Sequence, residues 1–493
     1  MTTAVIERFD VGALLTRLGT RPRRITADSR EVRAGDAFAA FPGGRVDGRA
    51  FIADAIVRGA STVLWEAARF TWRRDWNVAN HPVEGLQHKL GYIADFIFGS
   101  PSEAMWMVGV TGTNGKTTCA HAIAQCLDAC GQRAAVLGTI GNGLVRELKP
   151  ATHTTPDAAA LHETLAELRN AGARAVAMEV SSHGLDQGRV NGVAYDVALF
   201  TNLSRDHLDY HGTMAAYGAA KARLFAWPGL HASIVNRDDA FGQSLADSIR
   251  TRGAKVLTYG FGGADISGSN LRATPEGVTF GVSTPWGRAE VASRLVGAFN
   301  ASNLLGVLGV LLVSGTGLDA AVSALADVVP PHGRMQRFGG AGDPLVVVDY
   351  AHTPDALEKA LTALRPVTPK GRELVCVFGC GGDRDPGKRP QMGRIAAQLA
   401  DRIVVTNDNP RTEDPSAIAE AILRGIRETP NRRWALELDR ATAITGAIHK
   451  ASAGDVVLVA GKGHETYQEK NGIREHFSDA EVVEAALAKR SDA

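Results

Sequence analysis

The sequence predicts an α/β protein of three domains: a small α/β domain first, a central parallel-sheet domain with antiparallel strands appended, and a Rossmann-like α/β domain last. Three observations predict it. The chain has 493 residues, and at roughly 150 residues per domain that length asks for about three cores. Apolar strand patterns alternate with helical ones in two separate series, which is how parallel sheets covered on both faces read. Between the series stands Pro330-Pro331-His332-Gly333, where consecutive prolines cannot continue a helix.

The first hundred residues carry the weakest periodicity, with strands expected at Ile25 to Arg30, Asp36 to Phe41 and Thr62 to Trp65, and a linker just before Pro101. Met105 to Val110 then reads as an apolar strand ending in glycines, and Thr117 to Cys130 has helical spacing that stops at Gly131, where a helix-ending glycine belongs. Further strands are expected at Ala134 to Leu137, Ala175 to Val180, Val197 to Asn202 and Ser233 to Asn236. Ligands of such sheets collect at the C-terminal strand ends. From Gly260 to Val296 short alternating segments broken by Gly and Pro predict antiparallel hairpins, and an apolar helix follows over Asn300 to Val313. The last series predicts strands at Leu345 to Asp349, Leu374 to Phe378, Ile403 to Thr406 and Val456 to Ala460. The expected domain limits are 1–101, 102–331 and 332–493.

Charged residues make up 22% of the chain, for a net charge of +1. No excess of either sign and no basic stripe points to nucleic acid or a membrane surface, so small molecules are the expected partners. The longest apolar candidate, Leu304 to Val313, is too short to span a bilayer. The five cysteines, Cys119, Cys126, Cys130, Cys376 and Cys380, form no C-x-x-C pair and have no histidine at zinc spacing. They read as reduced packing residues. With no basic, apolar leader in Met1 to Asp10, the expected place of work is the cytoplasm.

The strongest local signal is Gly109-Val110-Thr111-Gly112-Thr113-Asn114-Gly115-Lys116-Thr117-Thr118, set between a strand and a helix. Backbone N–H groups of a glycine loop at a helix start cradle phosphate, Lys116 supplies a point charge, and the Thr117 hydroxyl suits Mg²⁺. The central domain is therefore expected to be a P-loop ATPase. The general G-x-x-x-x-G-K-[ST] pattern asks for glycine at position 110, where this chain has valine. A tight βα turn is the plain structural alternative, and nucleotide binding by itself does not separate a ligase from a kinase, a GTPase or a switch.

The variant loop from Gly112 to Thr118 resembles the ATP loop of the Mur ligases and of their relative folylpolyglutamate synthase. Five more blocks resemble that family in its order: Met178 to His183, Asn202 to Asp209, Gly333-Arg334-Met335, Asp349 to Pro354 and Gly461 to Glu465. Within the family the chain is most similar to the members that add the third peptide residue. Asp408-Asn409-Pro410-Arg411 resembles the signature of the branch adding meso-2,6-diaminopimelate rather than lysine. The residues agree with that, since the far end of diaminopimelate is a zwitterion: Arg411 offers a fork to its carboxylate, and Asp408 and Asn409 can receive its ammonium. A solvated turn is the alternative for this tetrapeptide.

The resemblance implies an ATP-dependent ligase of cell-wall precursor synthesis. It would form an acyl phosphate on the D-glutamate of UDP-N-acetylmuramoyl-L-alanyl-D-glutamate and then join diaminopimelate to it, with ATP and Mg²⁺ as cofactors and a monomer as the working form. Lys116, Glu179, His207 and Lys221 are the implied catalytic set, and Thr117, Glu179, His207 and Lys221 (carbamylated on its amine) the implied metal set. Independently of the family, Glu179 ends an apolar strand, where a carboxylate suits a metal better than a core, with a buried structural salt bridge as the alternative. For His207 the alternative is a helix cap, and for Lys221 spacing alone gives a solvent-facing lysine. Implied ATP contacts are Gly112, Thr113, Asn114, Gly115, Lys116, Thr117, Thr118, Asn300, Arg334 and Asp349, with helix capping as the alternative for Asn300.

Implied contacts to the UDP-muramoyl dipeptide are Ser29, Gly44, Arg45, Val46, Thr154, Thr155, Ser181, Gln187 and Arg189. Those to diaminopimelate are Arg384, Asp408, Asn409, Pro410, Arg411, Gly461 and Glu465. A loop salt bridge with Asp383 or Asp385 is the alternative for Arg384. His153 and Gln336 stand where relatives often carry asparagine and glutamate. The rival readings are a lysine-adding Mur ligase, folylpolyglutamate synthase and, from another class, a P-loop regulatory nucleotide-binding protein.

Overall fold

A computed structural model of the chain describes residues 10–44, 46–151, 153–274, 276–340, 342–430 and 433–491. The chain divides into two compact units, Met1–Leu257 and Thr258–Ala493.

The first unit opens with α1 (Val11–Leu18), whose N-cap Asp10 accepts from the Ala13 N–H and whose chain is turned out by Gly19 at φ 63°. Then come β1 (Ile25–Thr26), β2 (Ala37–Ala40), α2 (Ile52–Val57), β3 (Thr62–Glu66), β4 (Ala79–Val83) and α3 (Leu86–Ile97). The four strands form a parallel sheet in sequential order. Where the sequence predicts one strand over Ile25 to Arg30, the strand stops at Thr26. The Asp28 carboxylate accepts from the Arg30 N–H at 2.9 Å and closes a 3₁₀ turn over Ser29–Glu31. The unforeseen β4 carries Pro82, which an edge strand tolerates.

The same unit continues through β5 (Trp106–Thr111), α4 (Lys116–Ala129), β6 (Ala134–Leu137), β7 (Gly141–Leu144), β8 (Glu147–Pro150), α5 (Ala158–Asn170), β9 (Ala175–Glu179) and α6 (Ser182–Asp186). It is completed by β10 (Val197–Phe200), α7 (Leu208–His211), α8 (Met214–Ala222), β11 (Ala232–Asn236) and α9 (Ala240–Thr251). The order is β11-β10-β5-β9-β6-β7-β8. Strands β11 to β6 run parallel, and the β7–β8 hairpin turns back. The five-strand parallel core is the sheet that the apolar runs predict; the hairpin escaped because Gly141 to Pro150 mixes glycines and charges without alternation. Parallel pairing places the ends of β5, β9 and β10, and so Gly112, Glu179 and Thr201, along one edge.

The boundary between units falls inside β12 (Val256–Gly260), whose last residues pair with β13 (Ile266–Thr274); β14 (Gly277–Thr284) and β15 (Gly287–Ser293) complete the expected antiparallel meander. After α10 (Ala298–Val313) and α11 (Leu318–Ala326) the last sheet is built from β16 (Gln336–Gly339), β17 (Leu345–Asp349), α12 (Pro354–Leu364), β18 (Leu374–Phe378), α13 (Lys388–Leu399) and β19 (Arg402–Val405). The series ends with α14 (Pro415–Arg427), β20 (Trp434–Leu436), α15 (Arg440–Lys450), β21 (Val456–Ala460), the hairpin β22 (Tyr467–Lys470) and β23 (Ile473–His476), and α16 (Asp479–Ser491). Its order is β16-β17-β21-β18-β19-β20, parallel except for β16. Alternation assigns the two faces. Leu345, Val347, Cys376 and Leu458 enter one core, and Val346, Val348, Val375 and Val457 the other.

Both loops that follow β19 and β21 are fastened by Arg440. Its guanidinium pairs with both Asp479 oxygens at 2.7 Å, each side chain 0% exposed. It also donates to the carbonyls of Asn407 and Ala460 at 3.0 Å. Removing one member of a buried pair strands the other charge, at a cost of about 3–5 kcal/mol. Arg440→Met is therefore expected to lower the second unit's unfolding free energy by that scale, read as a lower denaturant midpoint by tryptophan fluorescence; an unmoved midpoint would sink the assignment.

Candidate active site

The strand β5 delivers the phosphate loop. Val110 is a buried strand residue opposite both Leu199 and Glu179, so the turn that the general motif places there starts instead at Gly112. At φ 150° a Cβ on Gly112 would lie 1.9 Å from Thr201 Oγ1, and only glycine fits. Gly115, φ 86°, starts α4 with no side-chain cap, leaving the phosphate-facing position of a helix N-terminus to backbone N–H groups. The end of β10 clasps the loop: Asn202 accepts from the Asn114 N–H at 3.0 Å and returns a bond to its carbonyl at 3.0 Å, and Thr201 Oγ1 donates to the same carbonyl at 2.6 Å. Thr113 N donates to Asn202 O at 2.8 Å.

Two lysine amines converge on one carbonyl. Lys116 Nζ donates to Gly112 O and Thr113 O at 2.9 Å, and Lys221 Nζ reaches Gly112 O at 2.8 Å. Spacing alone predicts a solvent-facing Lys221; instead it is 1% exposed, 4.5 Å from the Tyr217 ring. Burial, reinforced by Lys116, holds its pKa well below the ordinary lysine value.

Glu179 is fully buried at the end of β9. Its Oε2 accepts from the Thr117 hydroxyl at 2.9 Å and the Thr139 hydroxyl at 3.2 Å, and its Oε1 from the Thr139 N–H at 2.8 Å. Among the described residues no cation forms an ion pair with it. An anionic oxygen beside a hydroxyl, without a counter-charge, is a hard-oxygen donor set that fits Mg²⁺.

His207 occupies the N-cap position of α7 at φ 53° but makes no side-chain cap bond, so capping is not what its ring does. The ring lies 3.4 Å from Asp206 and edge-on to His183 at 4.9 Å. Burial lowers its pKa; Asp206 opposes the shift while Lys116 and Lys221 add to it. Among the described residues no three His, Cys, Asp or Glu side chains gather as a metal cluster. Of the expected metal set, Thr117 and Glu179 are joined by a hydrogen bond at 2.9 Å.

From Glu179 a chain of bonds leads to the residues expected at the muramoyl dipeptide. Thr155 Oγ1 donates to Glu179 O at 3.0 Å and accepts from the Ser181 N–H at 3.0 Å. Arg189 donates to Thr155 O at 2.9 Å and forks onto Gln187 Oε1 at 2.9 and 2.6 Å. Thr154 and Thr139 hydroxyls meet at 3.0 Å, and Ser181 caps α6. Of the expected N-terminal contacts, Ser29 is buried in its 3₁₀ turn, a Cβ on Gly44 would meet open space, and Val46 is exposed. Arg45 lies outside the described residues.

In the second unit Asn300 is buried within the first turn of α10 while Gly297 takes the cap. It does not cap the helix; its Nδ2 donates back to Val296 O at 2.8 Å. Asp349 accepts from the Met335 N–H at 2.8 Å, and burial raises its pKa against the pull of Arg334, whose guanidinium lies 4.7 Å over the Tyr350 ring. Gln336 accepts from the Gly333 N–H at 2.8 Å, pinning the turn after the double proline.

The loop after β19 holds Asp408 to Arg411. Asp408 Oδ1 accepts from the Asn409 N–H at 2.7 Å, and a Cβ at Gly461, φ 121°, would stand 2.6 Å from Oδ2. Arg411, at φ 52°, donates from its guanidinium to Gly382 O at 2.7 Å. Arg384 is exposed and forms no salt bridge among the described residues: Asp383 accepts from Thr412 and Asp385 from the Gly387 N–H. Asn409 Nδ2 donates to Glu465 Oε2 at 2.7 Å.

Three family profiles match along the chain: "Mur ligase family, catalytic domain" over residues 23–96, "Mur ligase middle domain" over 110–311, and "Mur ligase, glutamate ligase domain" over 333–463. The chain belongs to the Mur ligase family. It is 52% identical over 476 residues, 96% of each chain, to the UDP-N-acetylmuramoyl-L-alanyl-D-glutamate--2,6-diaminopimelate ligase of Chromobacterium violaceum. A solved structure of a ligase of that name matches with TM-score 0.69 at 38% identity over 95% of each chain. The MurF ligase of Thermotoga maritima in complex with ADP shares the fold, with TM-score 0.66 at 21% identity over 97% of this chain and 99% of that one.

Several residues of this Mur ligase receive no role from sequence: in the first unit Thr139, which holds Glu179, and Thr201 and Asn202, which hold the phosphate loop; in the second Lys462, buried beside Glu465. Asn202 and Lys462 stand inside blocks that resemble the family's. A polar pair ending an apolar strand was the available signal for Thr201 and Asn202. Nothing in the sequence separates Thr139 from its neighbours.

Asn202→Ala removes two bonds worth about 1 kcal/mol each and is expected to raise the KM for ATP roughly tenfold or more, measured by steady-state phosphate release; an unchanged KM would refute the clasp. A pH dependence follows from His183 and His464, both lowered to about 4, chiefly by burial. The unfolded chain protonates these rings near the ordinary value of about 6.5, so between that pH and about 4 it binds more protons than the folded form, and stability falls with pH. Melting curves across this window are expected to decline, with a shallower decline in His183→Phe/His464→Phe; equal slopes would contradict it.

Proposed function

We propose that this Mur ligase joins meso-2,6-diaminopimelate to the D-glutamate of UDP-N-acetylmuramoyl-L-alanyl-D-glutamate at the expense of ATP, in peptidoglycan precursor synthesis. The observation that carries the reading is near full-length identity of about one residue in two to ligases of that name. The local chemistry supports it: a phosphate loop beside a buried carboxylate in one unit, and a guanidinium with two carboxylates on neighbouring strand-end loops in the other.

The carboxylate of D-glutamate is a poor acylating group until it is phosphorylated. Its oxygen attacks the γ-phosphorus of ATP, the bond to ADP breaks, and an acyl phosphate forms. The neutral amine of diaminopimelate then attacks the carbonyl carbon. The tetrahedral intermediate expels phosphate, and the amine loses a proton, leaving the amide. In the first step the Gly112–Thr118 loop and Lys116 hold the phosphates in line and balance their charge. Thr117 and Glu179 are the residues that would hold Mg²⁺, which when bound draws charge from the phosphate oxygens. Thr155, Ser181, Gln187 and Arg189 are read as orienting the dipeptide, and Ser29, Gly44, Arg45 and Val46 as receiving its uridine end.

Lys221 is read as carbamylated. Its low pKa favours the neutral amine, the form that adds CO₂ with loss of a proton, and the carbamate would set an anionic oxygen donor beside Lys116. Asn300, Arg334 and Asp349 are read as meeting adenine, phosphate and ribose. Arg411 and Arg384 are read as gripping the carboxylates of diaminopimelate, with Asp408, Asn409, Gly461 and Glu465 at its ammonium. The domain limits 1–101, 102–331 and 332–493 enclose the three profile matches. A monomer working in the cytoplasm completes the reading; among the described residues no helix is long and apolar enough to cross a membrane.

The test is direct. With ATP, Mg²⁺ and the UDP-linked dipeptide, phosphate release and a tripeptide product are expected with meso-diaminopimelate and far less with L-lysine. Preference for lysine overturns the specificity, and turnover indifferent to any amino acid favours a regulatory nucleotide-binding protein.

A further inference from the structure

Lys462 sits in the loop after β21 with its side chain 0% exposed. The loop has little freedom to put it elsewhere. Gly461 and Gly463 flank it at φ 121° and 52°, and a Cβ on the first would stand 2.6 Å from Asp408 Oδ2, on the second 2.7 Å from Gly333 O. The Nζ donates to Asn409 Oδ1 at 3.0 Å and to Glu465 Oε2 at 3.1 Å. Since Asn409 Nδ2 donates to that same Oε2 at 2.7 Å, the three side chains close a ring. The amide cannot flip within it, because Oδ1 also accepts from the Glu469 N–H at 3.0 Å.

The ring has two consequences for Glu465. Its Oε2 carries two donors while Oε1 receives no hydrogen bond among the described residues, so one oxygen is anchored and the other is left for a ligand. The ammonium at 3.1 Å also cancels most of the carboxylate's field as felt from outside, and a buried ammonium is itself stable only where such a partner stands.

We propose that Lys462 is a positioning residue that sets amino-acid selectivity. It fixes Glu465 with Oε1 toward the incoming molecule and neutralises its charge, so a lone side-chain ammonium gains little there. A zwitterion is held because its carboxylate also meets Arg411. The proposal rests on the diaminopimelate reading above.

The experiment compares the full-length wild type with Lys462→Met, using meso-diaminopimelate and L-lysine as alternative amino acids and saturating UDP-linked dipeptide. The ratio of kcat/KM for diaminopimelate over lysine is expected to fall tenfold or more in the variant while the KM for ATP stays within twofold. In a Glu465→Gln background the same substitution is expected to leave the ratio unmoved, because Lys462 acts through that carboxylate. Lys462→Gln, which keeps a donor and loses the charge, is assayed in parallel and stands in for Lys462→Met if the latter does not fold. A wild type preferring diaminopimelate together with an unmoved ratio in the variants overturns this proposal alone. A wild type preferring lysine overturns the underlying reading and this proposal with it.

Discussion

A strand that runs parallel to its neighbours has to return through a helix, so every strand of such a sheet ends on the same edge. That constraint organises both units. In the first, the ends of β5, β9 and β10 bring the phosphate loop, Glu179 and the Thr201–Asn202 clasp together from segments separated by long stretches of chain. In the second, the ends of β17, β18, β19 and β21 bring Asp349, the glycines at 381 and 382, Asp408 to Arg411 and the Gly461 loop together. The chemistry is distributed in sequence and local in space.

Placing polar groups at the rim of apolar sheets raises the question of what offsets their burial. The structure answers it differently each time. Arg440 and Asp479 satisfy each other and two carbonyls, and their role is to stiffen. Glu179 is satisfied by neutral donors alone, which keeps its charge available. Lys221 has a carbonyl and an aromatic face, neither of which neutralises it, and its proton affinity drops in response. Glu465 stands between these cases, with one oxygen committed and one not.

Much of this was legible from residues. The five-strand parallel core, the antiparallel meander and the last sheet followed from apolar runs of strand length, and β6, β17, β18 and β21 keep their expected bounds. Short or polar strands were not legible: β4, the β7–β8 hairpin, β20 and β22–β23 are held by neighbours rather than by their own pattern. Glu179 stood out because a carboxylate ending an apolar strand is anomalous in a core. Lys221 did not, since helical spacing says nothing about a helix buried on the side that meets the phosphate loop. Capping stands as the alternative for Asn300 only while the helix is taken to begin there; two earlier residues are helical, and its amide turns inward.

The two lysines that share the Gly112 carbonyl bring two amines to one point of the phosphate loop. Burial disfavours a charge there, like charges held so close repel as well, and it is the buried Lys221 that gives up its proton affinity in response. By linkage, nucleotide that prefers the folded form raises the stability of the first unit in proportion to the logarithm of its concentration. The abundance of the folded enzyme in a cell is in this sense coupled to its energy supply: scarcity of ATP lowers the stability of the unit that carries the phosphate loop.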